Sequence, residues 1–410
     1  MRKIRTLFIL ALATVAVVWA AFYVLQRDTG ERIAEKAPLF PALGSQLNQA
    51  AELRIGKGEF SFTLRRQGEN SWRIQERADY PADLPKIHEL LLGSANLQRL
   101  EEKTRNPERY SQLGLAETGE KDDADKVAMQ IAIRDDKDQL LADFFVGKRT
   151  VAKSRRSRHE MYVRTRDDPT VWLVEGNLPH GDKVTHWLQK DILQLDHEHI
   201  QAVRITHADG ETVTIRKNDR DAFDYYIVGL PETAKPRSTH IVNGIAIGMA
   251  DIELLDVQKE QNAALSDKAP GATVLITTFD GMLITMTTWR SGENILARLA
   301  ADFDPEWDRE PKPRKGEKKA APTTLSDHGS IGNIGIKAAS DVGKAGDIGI
   351  RTGSGAGNMV TRTIDLKGRR NADFIKKEAA ELAERWRDWI YILPGYRMDK
   401  LTKRMSDLVK

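Results

Sequence analysis

The chain has 410 residues, 40% of them hydrophobic and 30% charged, with a formal net charge of +3 and no cysteine. That is room for two or three domains of ordinary size, mostly soluble and globular rather than polytopic. The near balance of charge gives no global drive toward nucleic acid, and the missing thiols exclude disulfides, zinc–thiolate and iron–sulfur sites, cysteine nucleophiles and a lipid anchor on cysteine.

The first element is an apolar run. Leu7 to Leu25 reads LFILALATVAVVWAAFYVL without a charge. As a helix it spans roughly 28 Å, close to the hydrocarbon thickness of a bilayer. Arg2, Lys3 and Arg5 precede it, whereas Arg27 and Arg32 after it are offset by Asp28 and Glu31. This asymmetry predicts residues 1–6 in the cytoplasm, a transmembrane helix over 7–25, and everything beyond a linker at 26–46 outside the cytoplasm. Trp19, Phe22 and Tyr23 suit the far interface. A cleaved signal peptide would have a shorter apolar core and a small-x-small site, and bulky Phe22, Tyr23 and Leu25 disfavour one.

The rest carries one pattern twice, which predicts an α+β fold of two tandem antiparallel-sheet-plus-helix modules over 47–196 and 197–410. AELRI, FTLRR and SWRI around Trp72 are answered by QAVRI, VTIRK and DYYIV around Tyr226. Alternating apolar positions read as a hairpin plus a third strand. A helix is expected over Leu90–Glu102 and again over Ile245–Val257, with Gly93 matching Gly248 and allowing close approach to the sheet. Further hairpins follow, turning at Asp135 to Asp138 and at Asp280-Gly281. Each copy should close with a strand and a helix. A constant offset of 217 pairs Trp172 with Trp389, Asp182 with Asp399, Lys183 with Lys400 and Thr185 with Thr402. The repeated tryptophans read as core positions. Copy two carries an insertion over about 304–370, charged and then glycine-rich, whose composition predicts a flexible loop. A helix should resume at Asn371, with Phe374, Ile375, Ala379, Leu382 and Trp386 on one face.

Few motifs carry chemistry. GNIGIK from Gly332 and GDIGIR from Gly346 follow no clear strand and open no clear helix, so they read as loop rather than anion cradle. Gly147-Lys148-Arg149-Thr150 lacks the first glycine of a phosphate loop, because Ala142 stands there. His197-Glu198-His199 could place two imidazoles on one strand face but needs a third ligand for zinc, His180 or Asp196, and a solvated domain junction is the simpler reading. No nucleophile elbow or carboxylate pair stands out. The densest basic run beyond the apolar segment is Lys148 to Arg166, with Lys148, Arg149, Lys153, Arg155, Arg156 and Arg158 ahead of its first acid, Glu160. Arginine forks match phosphate and carboxylate, so these six are the candidate contact with an anionic partner; a solvated hairpin loop is the bland alternative. Sparse aromatics argue against single-stranded nucleic acid.

The order of several motifs resembles the bacterial DUF 4340 family. They are Ser71-Trp72-Arg73-Ile74 followed by Tyr80-Pro81-Ala82, then Tyr110 with Leu113-Gly114-Leu115, then Val146-Gly147, then Met161-Tyr162-Val163 before Val171-Trp172. Copy two lacks the Leu-Gly-Leu equivalent. The resemblance implies a periplasmic auxiliary component of gliding-motility-type ABC transporters, and it supplies no catalytic residue and no cofactor. The function expected is therefore a non-enzymatic, single-pass inner-membrane accessory or scaffold subunit whose partner is an ABC permease or related subunit. A periplasmic module binding anionic lipid or polysaccharide and an enzyme processing envelope polymers are the alternatives.

Overall fold

The computed structural model describes residues 37–118, 125–150, 159–230, 233–263, 265, 268–305 and 371–410. The expected membrane span at 7–25, the insertion from 306 to 370, and Lys153, Arg155, Arg156 and Arg158 lie outside the described residues. No helix among the described residues is long and apolar enough to cross a membrane. The fold is α+β with antiparallel sheets. The chain divides into two compact units, Met1–Lys190 and Asp191–Lys410.

The first unit opens with β1 (Ala37–Pro38) and the short helix α1 (Leu43–Gln46), both inside the stretch expected to be linker. They belong to the unit because Leu39 and Leu43 are buried in its core. Then come β2 (Ala50–Lys57), β3 (Phe60–Arg66), β4 (Trp72–Ile74) and β5 (Tyr80–Pro81), helix α2 (Leu84–Ala95), and β6 (Gln98–Thr104). Strands β7 (Met129–Asp135), β8 (Leu140–Thr150), β9 (Glu160–Thr165) and β10 (Val171–Glu175) complete a ten-stranded sheet in the order β1-β6-β10-β9-β8-β7-β2-β3-β4-β5. Alternation places Leu53, Ile55, Leu64, Ile131, Ile133 and Phe144 inward, all buried.

The second unit opens with β11 (Asp191–Gln194), which pairs with β15 (Asp251–Glu253), so its boundary falls before Asp191 rather than at the 196/197 junction read from the repeat. Its main sheet uses β12 (Ile200–His207), β13 (Thr212–Arg216), β14 (Tyr226–Ile227), β16 (Asp256–Lys259), β17 (Ala272–Thr278), β18 (Met282–Ser291), β19 (Asn294–Phe303) and β20 (Trp389–Pro394). The order is β14-β13-β12-β17-β18-β19-β20-β16. Reading β4-β3-β2-β7-β8-β9-β10-β6 in the first sheet gives the same succession, strand for strand. The first sheet differs by an additional two-residue strand on each edge.

Helix α2 and its counterpart α3 (Thr239–Ala250) start and stop about six residues earlier than the sequence pattern places them. In α2 the start is set by Asp83, whose carboxylate accepts from Lys86 N at 3.0 Å, and by Pro85 in the first turn. The second half of each expected helix is strand, because β6 and β16 take their backbone bonds from β10 and β20. The matched glycines are needed for close packing, though not against the sheet. A Cβ on Gly93 would come within 3.0 Å of the Asn177 carbonyl oxygen, and one on Gly248 within 3.0 Å of the Leu401 side chain. Both neighbours lie in the segment after the unit's last long strand. In the second unit that segment is α5 (Gly395–Leu401), followed by α6 (Met405–Leu408). In the first it is only a single 3-10 turn, Val184–His186, where a helix was expected.

Helix α4 (Ala372–Trp386) resumes where expected: Asn371 caps it by accepting from Asp373 N at 2.9 Å, and Ile375, Ala379 and Trp386 are buried. Phe374 and Leu382 are half-buried. Trp389 is buried, but Trp172 is only half-buried, with the Arg99 guanidinium 5.1 Å from its ring centroid. The first of the two repeated tryptophans is therefore a partly solvated position.

The C-terminal turn is held electrostatically. Arg404 Nη1 donates to Asp209 Oδ2 at 2.8 Å and to the Glu211 carboxylate, which also accepts from Met405 N at 2.8 Å. A backbone hydrogen bond from Glu211, then Arg404, holds the Asp209 carboxyl below its usual range; the Met405 amide, then Arg404, does the same for Glu211. Carboxyl groups depressed in the folded state stabilise it above their unfolded values, about 4. That contribution is lost as pH falls through the lower, folded values. Acid should therefore expose residues 395–410 to proteolysis, and Arg404→Met should expose them at neutral pH with a flatter pH profile, read by limited proteolysis from pH 7 to pH 3.

Candidate functional site

Strand β8 is where the first unit breaks its own pattern. Val146 pairs with Val163, but Arg149 pairs with Met161, so Gly147 and Lys148 share one partner in a β-bulge. Gly147 has to be glycine: a Cβ there would fall within 3.0 Å of the Leu113 carbonyl oxygen and of Leu115 Cγ. Gly114, at φ +72°, caps the 3-10 turn Ser111–Leu113, and a Cβ on it would press on Lys148 and on the Asp125 carbonyl. The Leu-Gly-Leu turn therefore sits directly on the Val-Gly bulge.

Beneath the turn, Leu115 joins Ala128, Phe145 and Val171 in a small core with Tyr110, Leu113 and Tyr162 against it. Tyr110 donates its hydroxyl to Pro169 O at 2.6 Å. Arg164, only 6% exposed, lies between the Tyr110 and Phe145 rings at 5.0 and 4.4 Å and donates to Glu117 at 2.6 Å. Arg166 is paired with Asp143 at 2.8 Å. Arg164, near the end of the basic run, thus points into the unit, while Arg166 stays exposed. Sequence alone could not show this, because alternation puts Arg164 and Arg166 on one face and it is the distant segment from Tyr110 to Glu117 that covers Arg164.

The bulge opens one wall of a cleft of about 510 Å³. Lys148 and Arg149 line it with Lys57 from the end of β2, His180 and Asp182 from the segment after β10, and Asp125. Lys148 Nζ donates to Gln112 O at 2.9 Å, and Arg149 donates to Leu178 O at 2.8 Å. Burial pulls the Arg149 guanidinium below its ordinary pKa, with Glu89 opposing. Lys57 and Asp182 are 3.5 Å apart. Asp182 also lies 3.7 Å from His186, whose imidazole burial holds below its usual pKa while Asp182 pulls the other way. Buried Trp187 fixes the segment from within, donating to Gly181 O at 2.8 Å.

Lys148 and Arg149 are thus the two of the six candidate residues that the described structure brings to one place. Lys57, Asp125 and Asp182 were missed as site residues, and His180 entered only as a possible third zinc ligand beside His197 and His199. Asp182 had a signal, since it repeats as Asp399; the others come from separate strands and loops with no motif to join them.

Residues 72–262 match the family described as "Domain of unknown function (DUF4340)". This stretch is similar to the DUF4340 family. The match includes the Leu113-Gly114-Leu115 turn, the Val146-Gly147 bulge and the segment through Asp182, so most of the cleft wall lies within the DUF4340 region; Lys57 precedes it. No curated protein matches the chain.

His197-Glu198-His199 forms a 3-10 turn rather than a strand, capped by Asp196 accepting from Glu198 N at 3.0 Å. Both imidazoles lean toward Asp196, at 3.9 and 3.4 Å. Among the described residues, no three His, Asp or Glu side chains gather as a metal site would need.

Proposed function

We propose that this protein is a single-pass inner-membrane accessory or scaffold subunit, its two α+β units outside the cytoplasm, serving an ABC-type transport or envelope complex without catalysing a reaction. The observation that carries this reading is the uncharged run Leu7–Leu25 behind Arg2, Lys3 and Arg5. The common strand order of the two sheets supports a further part of it, that the units are tandem copies of one duplicated module. Such a repeat offers two related surfaces to a membrane partner, a scaffold's requirement rather than an enzyme's. The similarity to the DUF4340 family fits the same reading.

A second reading, a module that binds an anionic lipid or polysaccharide, is favoured by the cationic cleft at the β8 bulge. An envelope-polymer enzyme has less support, because the cleft brings together cations and two carboxylates, one of them paired with Lys57, rather than a nucleophile with its base. Topology tests the first reading. Alkaline phosphatase fused after Lys410 should be active, since it folds only outside the cytoplasm. An inactive fusion, paired with an active cytoplasmic reporter at the same position, would overturn the orientation.

A further inference from the structure

The two sheets share one strand order, so positions can be compared by register. Val146 stands opposite Met129 in the first sheet, and Thr288 stands opposite Ala272 in the second. Met129 and Ala272 in turn pair with Lys57 and His207, the last residues of β2 and β12. Two residues beyond Val146 is Lys148; two beyond Thr288 is Arg290. Asp182 and Asp399 already correspond by the fixed offset after the last long strand. In the second unit this cation and this carboxylate close on each other as a direct Arg290–Asp399 ion pair, with Asp399 carried on α5. In the first unit they stay apart. Lys148 turns to the Gln112 carbonyl, Asp182 turns to Lys57, and a cleft stands beside them.

We propose that this opened position is a binding site for a phosphate ester, with Lys148 and Arg149 holding the phosphate, Asp125 accepting from a hydroxyl or ammonium group at the ligand's other end, and Asp182 competing with the ligand for Lys57. The inference goes beyond the accessory-subunit reading and does not depend on it. Three formal cations, Lys57, Lys148 and Arg149, face two carboxylates here, so an anion finds net attraction. Adjacent lysine and arginine suit phosphate: the guanidinium supplies a planar fork and the ammonium a movable point charge. Arg149 is half-buried and anchored to the Leu178 and Pro179 carbonyls, so its charge is fixed in place and poorly screened. A volume of about 510 Å³ suits a headgroup or small ester rather than a polymer.

The same phosphate chemistry can come from a soluble ester or from a lipid headgroup, and the test separates them. The full chain in detergent is titrated calorimetrically with glycerol 3-phosphate, and separately in micelles doped with phosphatidylglycerol or with phosphatidylcholine. Lys148→Ser should weaken binding about ten-fold, the scale of one lost charge-assisted contact. Asp182→Asn should tighten it several-fold, because it removes a competing anion and releases Lys57; misfolding cannot produce such a gain. Arg290→Ser, the register equivalent in the second unit, should leave binding unchanged. Binding of glycerol 3-phosphate with this pattern assigns a soluble ester. Binding only in phosphatidylglycerol micelles, with the same pattern, assigns a lipid headgroup. No binding in either arm, or binding indifferent to Lys148→Ser and not tightened by Asp182→Asn, overturns the proposal.

Discussion

Replacing Trp187 by alanine should cost the first unit about 3–5 kcal/mol, the range for removing a large buried aromatic side chain. Trp187 is 0% exposed, packs 6.5 Å from the Phe62 ring, donates to Gly181 O, and offers its own carbonyl to Asp83 N at 2.8 Å. The last contact ties it to the residue that caps α2, so the loss reaches both the cleft segment and the helix start. Trp172→Ala is the informative comparison. Half-buried and partnered by Arg99, it should cost clearly less. Chemical denaturation of both variants, followed by far-ultraviolet circular dichroism, reads the difference. Equal costs would mean that the half-burial of Trp172 carries no energetic meaning.

The second large effect is expected at the bulge. Gly147→Val should destabilise by roughly 1–3 kcal/mol, because its Cβ meets a backbone carbonyl and a fully buried leucine, neither of which can swing away. Gly114→Ala should cost about 1–2 kcal/mol for its left-handed backbone alone. Since the two glycines press on each other's neighbours, the double variant should cost less than the sum, with a coupling of at least 0.5 kcal/mol. Additive costs would show that turn and bulge are independent motifs that merely adjoin.

Much of the local structure was legible in the sequence. The Asp280-Gly281 turn, with Gly281 at φ +89°, and the turn ending at Asp138, φ +64°, joined strands close to the expected ones. Alternating apolar residues gave β2, β3, β12 and β13. The helices were misplaced because Leu97 and Leu100, and Ile252 and Leu255, continue a helical period into segments that pairing turns into strand; the cap at Asp83 was the overlooked cue. The sheet order was not legible, since it depends on pairings between distant strands. The cleft was less so. Its glycines stand out as family motifs, but nothing local says that Gly114 lies on Gly147, or that Lys57 and Asp182 meet across 125 residues of sequence. The basic run misled in part, because Arg164 is spent inside the unit between two rings.

The most direct test of the accessory-subunit reading is purification of the tagged full chain from native membranes in mild detergent, with the bound proteins identified by mass spectrometry. Stoichiometric recovery of a membrane permease with its ATPase is expected, retained when the cleft is altered by Lys148→Ser and lost when residues 7–25 are exchanged for a cleavable signal peptide. Recovery of the chain alone from membranes in which that permease and ATPase are abundant would contradict it.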